Sequence, residues 1–259
     1  MEHKENLSRR KISRVLISVS DKSGIVDLSK GLSENGIEIV STGGTSKAIS
    51  EAGIPVRPVE EVTNFPEMMG GRVKTLHPLI FGGILGRDSD KDQMKEHGIE
   101  NIDMVICNLY PFKSAAEKGV DLSSLIEEID IGGPSLLRAA SKNHSRVSVV
   151  TDPGDYGWIL NEILNGGLTF EQRQQLALKS FRHTAEYDSI IQSVLAQRFG
   201  EEELPSSLHL TGIGSPPLRY GENPHQSSVF YSDLLHSAPS VANSEQLQGK
   251  QLSLSLIHI

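Results

Sequence analysis

Short apolar runs alternate with longer amphipathic stretches in the first half of the chain. Residues 15–19 are apolar and rich in β-branched side chains, and residues 24–35 follow at helical spacing. The same order returns at residues 37–40, which precede a stretch that ends near Ala52 and Gly53. A glycine in that place is a typical helix stop signal. The pattern predicts two strand-helix units in succession.

The alternation continues further along the chain. Strands are predicted at residues 104–108 and 146–151, with a helix at 134–142 between them. The longest helical pattern runs over residues 169–199, with Thr169 as its N-cap. Strands that alternate with helices form a parallel sheet with helices on both faces. The sequence therefore predicts an α/β fold.

The character of the chain changes after Gly200. Residues 201–217 hold an acidic run followed by Pro, Ser and Gly, a composition typical of linkers. The stretch 218–259 is about 40 residues long, near the lower limit for a domain without disulfides or metal. We expect one domain at residues 1–200, a linker at 201–217 and a fragment of a second domain at 218–259.

Composition narrows the class of protein. The formal charge of −8 is spread along the chain, so no broad positive field attracts nucleic acid or an anionic membrane. Cys107 is the single cysteine, which leaves no disulfide framework and no thiolate-rich metal site and suits a reducing cytoplasm. Residues 1–11 lack the apolar core of a secretory signal, and no apolar run approaches the roughly 20 residues of a membrane span. We expect a soluble, cytoplasmic protein.

Two loops that follow predicted strands carry groups that bind anions. Ser20, Asp21 and Lys22 lie between the first strand and the first helix, where free backbone N–H groups could hold a phosphate. By itself this loop could be a simple N-cap. The second strand leads into a similar loop with two hydroxyls and two glycines, made of Thr42, Gly43, Gly44 and Thr45. Loops at the carboxyl edge of one parallel sheet converge on one crevice, so the pair favours a phosphate site over two unrelated turns.

The run at residues 70–78 has no amphipathic period and combines two basic residues with a threonine and a histidine. Arg72 offers a planar fork for phosphate, and Lys74 offers a compact charge that can stabilise an oxyanion or move a proton. An ordinary charged loop is the alternative, which we consider less favoured. His77, placed before a proline, could be a structural residue.

Three further residues carry chemistry in the second half of the predicted sheet. Tyr110 follows a predicted strand and could be a core aromatic with its hydroxyl at the surface. Asp130 stands between two isoleucines, where a buried carboxylate needs partners. Lys142 could be that partner or could only favour the carboxyl end of its helix. The residues alone leave these alternatives open.

Together these stretches closely resemble the N-terminal part of a family of bifunctional enzymes. The family combines aminoimidazole carboxamide ribonucleotide (AICAR) formyltransferase with inosine monophosphate (IMP) cyclohydrolase activity. The resemblance covers residues 14–250 and is carried by the motifs at 18–22, 70–78, 107–112, 128–133, 137–144 and 218–226. It implies a methylglyoxal-synthase-like fold for the first domain and a cytidine-deaminase-like fold for the second, of which this chain has a fragment.

The resemblance also implies roles for single residues. Lys142 matches the proposed proton donor and acceptor of the family, with Lys74, Tyr110 and Asp130 as helpers. The residues expected to line the nucleotide are Ser20, Asp21, Lys22, Thr42, Gly43, Gly44, Thr45, Arg72, Val73, Thr75, Cys107, Asn108 and Ile131. Arg219 and Tyr220 match nucleotide contacts of the second active site.

The implied reaction closes the last ring of a purine. The carboxamide nitrogen of formyl-AICAR attacks the formyl carbon, and loss of water gives IMP. We expect no metal or cofactor for this step, because both reacting groups are on one small-molecule substrate. We expect formyl transfer, with its 10-formyltetrahydrofolate, to be absent, because the family continues beyond residue 250, whereas residues 251–259 do not resemble it. The family is homodimeric, and dimerisation of this chain stays open.

Two other functions remain as alternatives. Domains of the same fold also serve as nucleotide-sensing or phosphate-sensing regulatory modules, which need the phosphate loops but not Tyr110, Asp130 and Lys142 together. Methylglyoxal synthase itself is the third candidate, and the match at residues 218–226 argues against it.

Overall fold

A computed structural model describes residues 9–200, 211–214, 217–233, 241, 244–250 and 253. The chain divides into two compact units, residues 1–185 and 186–259. The predicted linker lies mostly outside the described residues, as do most of residues 251–259. The boundary expected at residue 200 therefore stays a prediction.

The first unit is built on a parallel sheet in the order β3-β2-β1-β4-β5. Its strands are β1 (Arg14–Val19), β2 (Glu38–Ser41), β3 (Arg57–Pro58), β4 (Met104–Asn108) and β5 (Ser148–Val150). All neighbouring pairs are parallel, with Leu16 opposite Val40 and Ser18 opposite Cys107. The chain adds β2 and β3 on one side of β1 and then adds β4 and β5 on its other side. At this change of direction a crevice opens beyond the carboxyl ends of β1 and β4.

Helices connect the strands, as the alternation predicts. In the described residues they are α1 (Ile25–Glu34), α2 (Gly43–Glu51), α3 (Val59–Thr63), α4 (Pro78–Leu85), α5 (Lys91–Glu96), α6 (Phe112–Glu117), α7 (Leu122–Glu127), α8 (Gly132–Lys142), α9 (Tyr156–Leu164) and α10 (Phe170–Phe199). The core lies between the helices and the sheet, and all five residues of β4 are buried. The α/β prediction is confirmed.

The predicted elements agree with the structure to within about two residues at each end. The sequence pattern did not reveal β3, which is only two residues long and contains Pro58. It also did not reveal six helices of five to nine residues, namely α3, α4, α5, α6, α7 and α9. Helices this short span at most about two and a half turns, so their hydrophobic period leaves little signal.

The long helix α10 begins where its N-cap was predicted. The Thr169 Oγ1 accepts from Gln172 N at 3.2 Å, and the Thr169 N–H donates to Gln172 Oε1 at 2.8 Å. These two bonds form a capping box, which fixes the first turn of the helix.

The second unit holds a two-stranded antiparallel sheet of β6 (Gly212–Gly214) and β7 (Tyr231–Asp233). In the segment that connects the two strands, the guanidinium carbon of Arg219 lies 4.8 Å from the centre of the Tyr220 ring. The cytidine-deaminase-like fold predicted for this fragment stays a prediction. None of the helices in the described part of the chain is long and apolar enough to cross a membrane.

Candidate active site

A cavity of about 790 Å³ opens at the carboxyl ends of β1, β2 and β4. It lies at the reversal of strand order, where ligands of open parallel sheets bind. Its lining comprises Ser18, Val19, Ser20, Lys22, Thr42, Gly43, Gly44, Thr45, Glu67, Gly70, Gly71, Arg72, Lys74, Thr75, Asn108, Tyr110, Ile126, Glu127, Ile129, Asp130, Ile131, Gly132 and Gly133. We refer to this cavity as the main pocket.

Hydroxyl groups join the ends of β1 and β2 beneath the main pocket. The Thr45 hydroxyl donates to Val19 O at 2.9 Å and lies 3.2 Å from the Val19 N–H. The Ser18 and Thr42 hydroxyls are 3.1 Å apart. These bonds fix the start of α2 against the sheet, so Thr45 positions the loop as well as lining it.

Asn108 holds the loop after β1. Its Oδ1 accepts from the backbone N–H groups of Ser20 and Asp21 at 2.7 and 2.9 Å, and its Nδ2 donates to Asp21 O at 2.9 Å. Asp21 turns away from the main pocket and accepts from Ser23, which lowers the pKa of the Asp21 carboxyl. The structure thus adds a clamping role for Asn108 to its predicted nucleotide contact.

Two lysine ammonium groups meet at the start of α2. A methyl group placed on Gly43 would lie 2.9 Å from Lys74 Nζ, and one on Gly44 would lie 3.9 Å from Lys22 Nζ. The first N–H groups of a helix lack intrahelical partners and carry partial positive charge. Free N–H groups, glycines without side chains and two ammonium groups together form an anion site suited to a phosphate.

Carboxylates compete for the basic groups of the main pocket. The Lys74 Nζ pairs with Glu67 and lies 3.5 Å from Glu60 Oε1, while Arg72 pairs with Glu127. Only 13% of the Lys74 side chain is exposed, so this ammonium is held in place, whereas Arg72 is 65% exposed. Nothing in the local sequence indicated these two carboxylates, because Glu67 pairs across a loop without regular spacing and Glu127 is 55 positions from Arg72.

Asp130 lies at the start of α8 and is held by backbone groups. Its Oδ1 accepts from the Gly133 N–H at 2.8 Å, and the N–H groups of Gly132 and Tyr110 also bond to the carboxylate. Burial raises the pKa of Asp130 in spite of these bonds. A side chain at position 133 would collide with this carboxylate, which explains the glycine.

Tyr110 is half-exposed at the rim of the main pocket. Burial and the negative charge of Asp130 raise the pKa of its phenol, while Lys74 lowers it by a smaller amount. A phenol is protonated at neutral pH, and the raised pKa extends that form to higher pH. Tyr110 can therefore donate a proton or hydrogen bond to a ligand.

Cys107 lies under the floor of the main pocket and does not line it. Its side chain is 1% exposed, and burial raises the pKa of the thiol above its usual range. We expect no reaction of the native protein with a thiol reagent at pH 8, and one thiol per chain after denaturation, because thiolate is the reactive form. Rapid reaction of the native chain would contradict the buried position.

Lys142 lies away from the main pocket. It is exposed in the last turn of α8, whereas Asp130 precedes the first turn. The eleven residues of α8 separate the two by about 16 Å at 1.5 Å per residue. The structure therefore does not bring Lys142 to Asp130 within one chain.

The other predicted site residues divide as follows. Thirteen of those predicted line the main pocket, namely Ser20, Lys22, Thr42, Gly43, Gly44, Thr45, Arg72, Lys74, Thr75, Asn108, Tyr110, Asp130 and Ile131. Asp21, Val73 and Cys107 adjoin it without lining it. Arg219 and Tyr220 belong to the second unit. The described residues hold no group of three side chains suited to a metal ion.

Family models match both parts of the chain. A model described as "MGS-like domain" matches residues 24–135, and one described as "AICARFT/IMPCHase bienzyme" matches residues 140–257. The chain belongs to the PurH family. The second match includes residues 251–257, where we expected the resemblance to have ended.

Relatives in the PurH family are about half identical to this chain. The "Bifunctional purine biosynthesis protein PurH" of Oceanobacillus iheyensis is 53% identical over 248 residues, which are 94% of this chain and 48% of that protein. The proteins of the same name from Streptococcus mutans and Persephonella marina are 53% and 50% identical, with 94% and 93% of this chain and 48% of each protein covered. The chain thus spans about half the length of these curated relatives.

A solved structure supports the fold. The structure titled "Crystal structure of ForH" is 36% identical and superposes with a TM-score of 0.64, over 71% of this chain and 97% of that one. The methylglyoxal-synthase-like α/β fold predicted for the first domain is therefore confirmed.

Proposed function

We propose that this PurH-family chain is an enzyme of purine biosynthesis that closes formyl-AICAR to IMP. One observation carries the proposal. The anion site at the start of α2 and the side chains of Lys74, Tyr110 and Asp130 all line the main pocket. The cavity volume of about 790 Å³ lies within the range of small-molecule sites and is ample for a nucleotide.

The phosphate of the substrate would bind at the start of α2. The N–H groups of Gly43 and Gly44 and the ammonium of Lys22 supply donors and positive charge. An incoming phosphate also competes with Glu67 for Lys74 and with Glu127 for Arg72. The carboxylates keep the basic groups ordered before the substrate arrives.

The imidazole end of the substrate would then face Tyr110 and Asp130. Ring closure forms a bond between the carboxamide nitrogen and the formyl carbon, and water leaves with the former formyl oxygen. The carboxamide nitrogen and the formamide nitrogen each lose one proton in this sequence, and the oxygen gains two. The site must hold the two groups together and move protons between them.

The side chains of the main pocket suit these transfers. Asp130, with its raised pKa, can accept a proton from the carboxamide nitrogen. Protonated Tyr110 can donate to the former formyl oxygen. Lys74 can stabilise negative charge on that oxygen. We propose no metal or cofactor for the step, and we place it in the cytoplasm.

The test is conversion of synthetic formyl-AICAR to IMP by the purified chain, followed by absorbance. We expect turnover, and we expect Asp130→Asn to lower kcat by about 10²–10⁴-fold while binding of IMP persists. A folded chain that binds IMP without converting formyl-AICAR would instead support a sensor function and overturn the proposal.

Lys142 needs a separate experiment, because it lies about 16 Å from Asp130. We expect Lys142→Ala to keep its affinity for IMP, since the exposed side chain does not line the main pocket. The predicted role of Lys142 in proton transfer then requires a second copy of the chain. A loss of turnover that is restored by mixing with Lys74→Ala protein would establish this role, and unchanged turnover would remove Lys142 from the catalytic group.

A further inference from the structure

A second, smaller cavity of about 240 Å³ lies in the first unit. It is lined by Arg10, Arg87, Asp88, Asn143, Ser145, Arg146, Phe170 and Arg173. The helices α4 and α8 begin beside the main pocket and end beside this cavity, which we call the arginine cavity. The two cavities are therefore at opposite ends of the same helices.

Two of the arginines are built into the wall. Arg173 is 2% exposed and donates to three backbone carbonyls, among them Ser145 O at 3.1 Å. Arg146 is 5% exposed and donates through Nε to Gly86 O at 2.7 Å. Its Nη1 makes no hydrogen bond to any residue that the structure describes, and the Asp103 carboxylate is 3.7 Å away. A buried guanidinium nitrogen beside the cavity thus has donors that no described residue accepts.

The remaining arginines stand at the opening. Arg10 forms a bidentate pair with Asp88, and Arg87 pairs with Asp90. With Asp103, three carboxylates face four guanidinium groups. Backbone carbonyls accept hydrogen bonds but carry no net charge, so positive charge remains in excess.

Burial and neighbouring charges both act on the pKa values of the two wall arginines. Burial lowers the pKa of Arg146, and it lowers the pKa of Arg173 to about 10. The positive charge of Arg10 adds to both shifts, while the carboxylates of Asp103 and Asp88 oppose the shift of Arg146. A bound anion would relieve the repulsion among these three groups.

We propose that the arginine cavity binds a phosphate group, either as inorganic phosphate or as part of a small phosphomonoester. Planar guanidinium forks match phosphate oxygens in geometry and charge. The volume of about 240 Å³ is less than a third of that of the main pocket, so a whole nucleotide does not fit. The Asp88 carboxylate holds Arg10 in the absence of the anion and competes with it.

Because Asp88 competes with the anion for Arg10, substitutions of these two residues are expected to change phosphate binding in opposite directions. Phosphate binding is measured by equilibrium dialysis at constant ionic strength with chloride, on the 259-residue chain. We expect Arg10→Gln to weaken the binding at this cavity by about tenfold or more, and Asp88→Asn to tighten it. Arg138→Gln, a change at an exposed arginine outside both cavities, is the matched control. The main pocket is unchanged in all of these proteins, so its own phosphate binding cancels in the comparison.

The proposal would be overturned by equal phosphate binding in the wild type and in Arg10→Gln, or by weaker binding in Asp88→Asn. A purely structural Arg10–Asp88 pair predicts that both changes lower stability and that neither alters phosphate binding. If Arg10→Gln fails to fold, the Asp88→Asn arm alone decides. Ribose 5-phosphate is a second probe that separates the two possible ligands. It binds only if the cavity admits a phosphomonoester, whereas a cavity that takes inorganic phosphate alone does not bind it.

Discussion

Replacing Lys74 by alanine is expected to lower kcat/KM for formyl-AICAR by about 10²–10⁴-fold with little change in stability. Its ammonium is mostly buried, is ordered by Glu60 and Glu67, and lies beside Gly43 and close enough to Tyr110 to act on its pKa. The change removes both a phosphate contact and the positive charge nearest to the proposed proton donor. Steady-state kinetics with IMP binding measured in parallel separate the two contributions.

The matched control for this change is Lys47→Ala. Lys47 is 75% exposed on α2, where it pairs only weakly with Glu51, so we expect kinetics close to those of the wild type. Turnover of Lys74→Ala within about threefold of the wild type would contradict the role given to Lys74, since the loss of one hydrogen bond to a charged group costs more than that.

Replacing Arg173 by methionine is expected to lower the free energy of unfolding of the first unit by about 3 kcal/mol. The guanidinium donates to Leu168 O at 2.6 Å, to His144 O at 2.9 Å and to Ser145 O at 3.1 Å. It thereby ties the first turn of α10 to the segment after α8. Methionine fills similar space but leaves these carbonyls without their donor.

Thermal unfolding followed by circular dichroism measures this effect. A loss of about 3 kcal/mol corresponds to a lower Tm by roughly 6–12 °C for a unit of this size. Arg182→Met is the control, because Arg182 is exposed on the same helix and its replacement is expected to change the stability by less than about 0.5 kcal/mol. Equal melting temperatures of the two variants would show that the buried hydrogen bonds contribute little.

Much of the first unit could be predicted because its signals are local. The β-branched run of β1 and the amphipathic period of α1 lie within six and ten consecutive residues, respectively. The strand and the helix can therefore be predicted from the sequence alone. The loops with Ser20 and Thr42 could be placed at one edge, because the carboxyl ends of parallel strands meet there. The structure brings these loops together in the main pocket.

The contacts that the sequence did not reveal join residues in distant segments. Glu127 is 55 positions from Arg72, and Asn108 is 88 positions from Ser20. No local period or spacing encodes such a pair. The same holds for the arginine cavity, whose members come from the N-terminal segment, the end of α4, the end of α8 and the start of α10.

The sequence by itself determined the α/β class, the order of the main elements, the family and most of the pocket residues, because hydrophobic period and motif order are properties of the chain. Only the tertiary structure decided the strand order, the pairing of Lys74 with Glu67 and the separation of Lys142 from Asp130. Asp130 precedes the first turn of α8 and Lys142 lies in its last turn, and the helix advances about 1.5 Å with each residue. Proximity in space is set by packing, and packing joins residues that the sequence keeps apart.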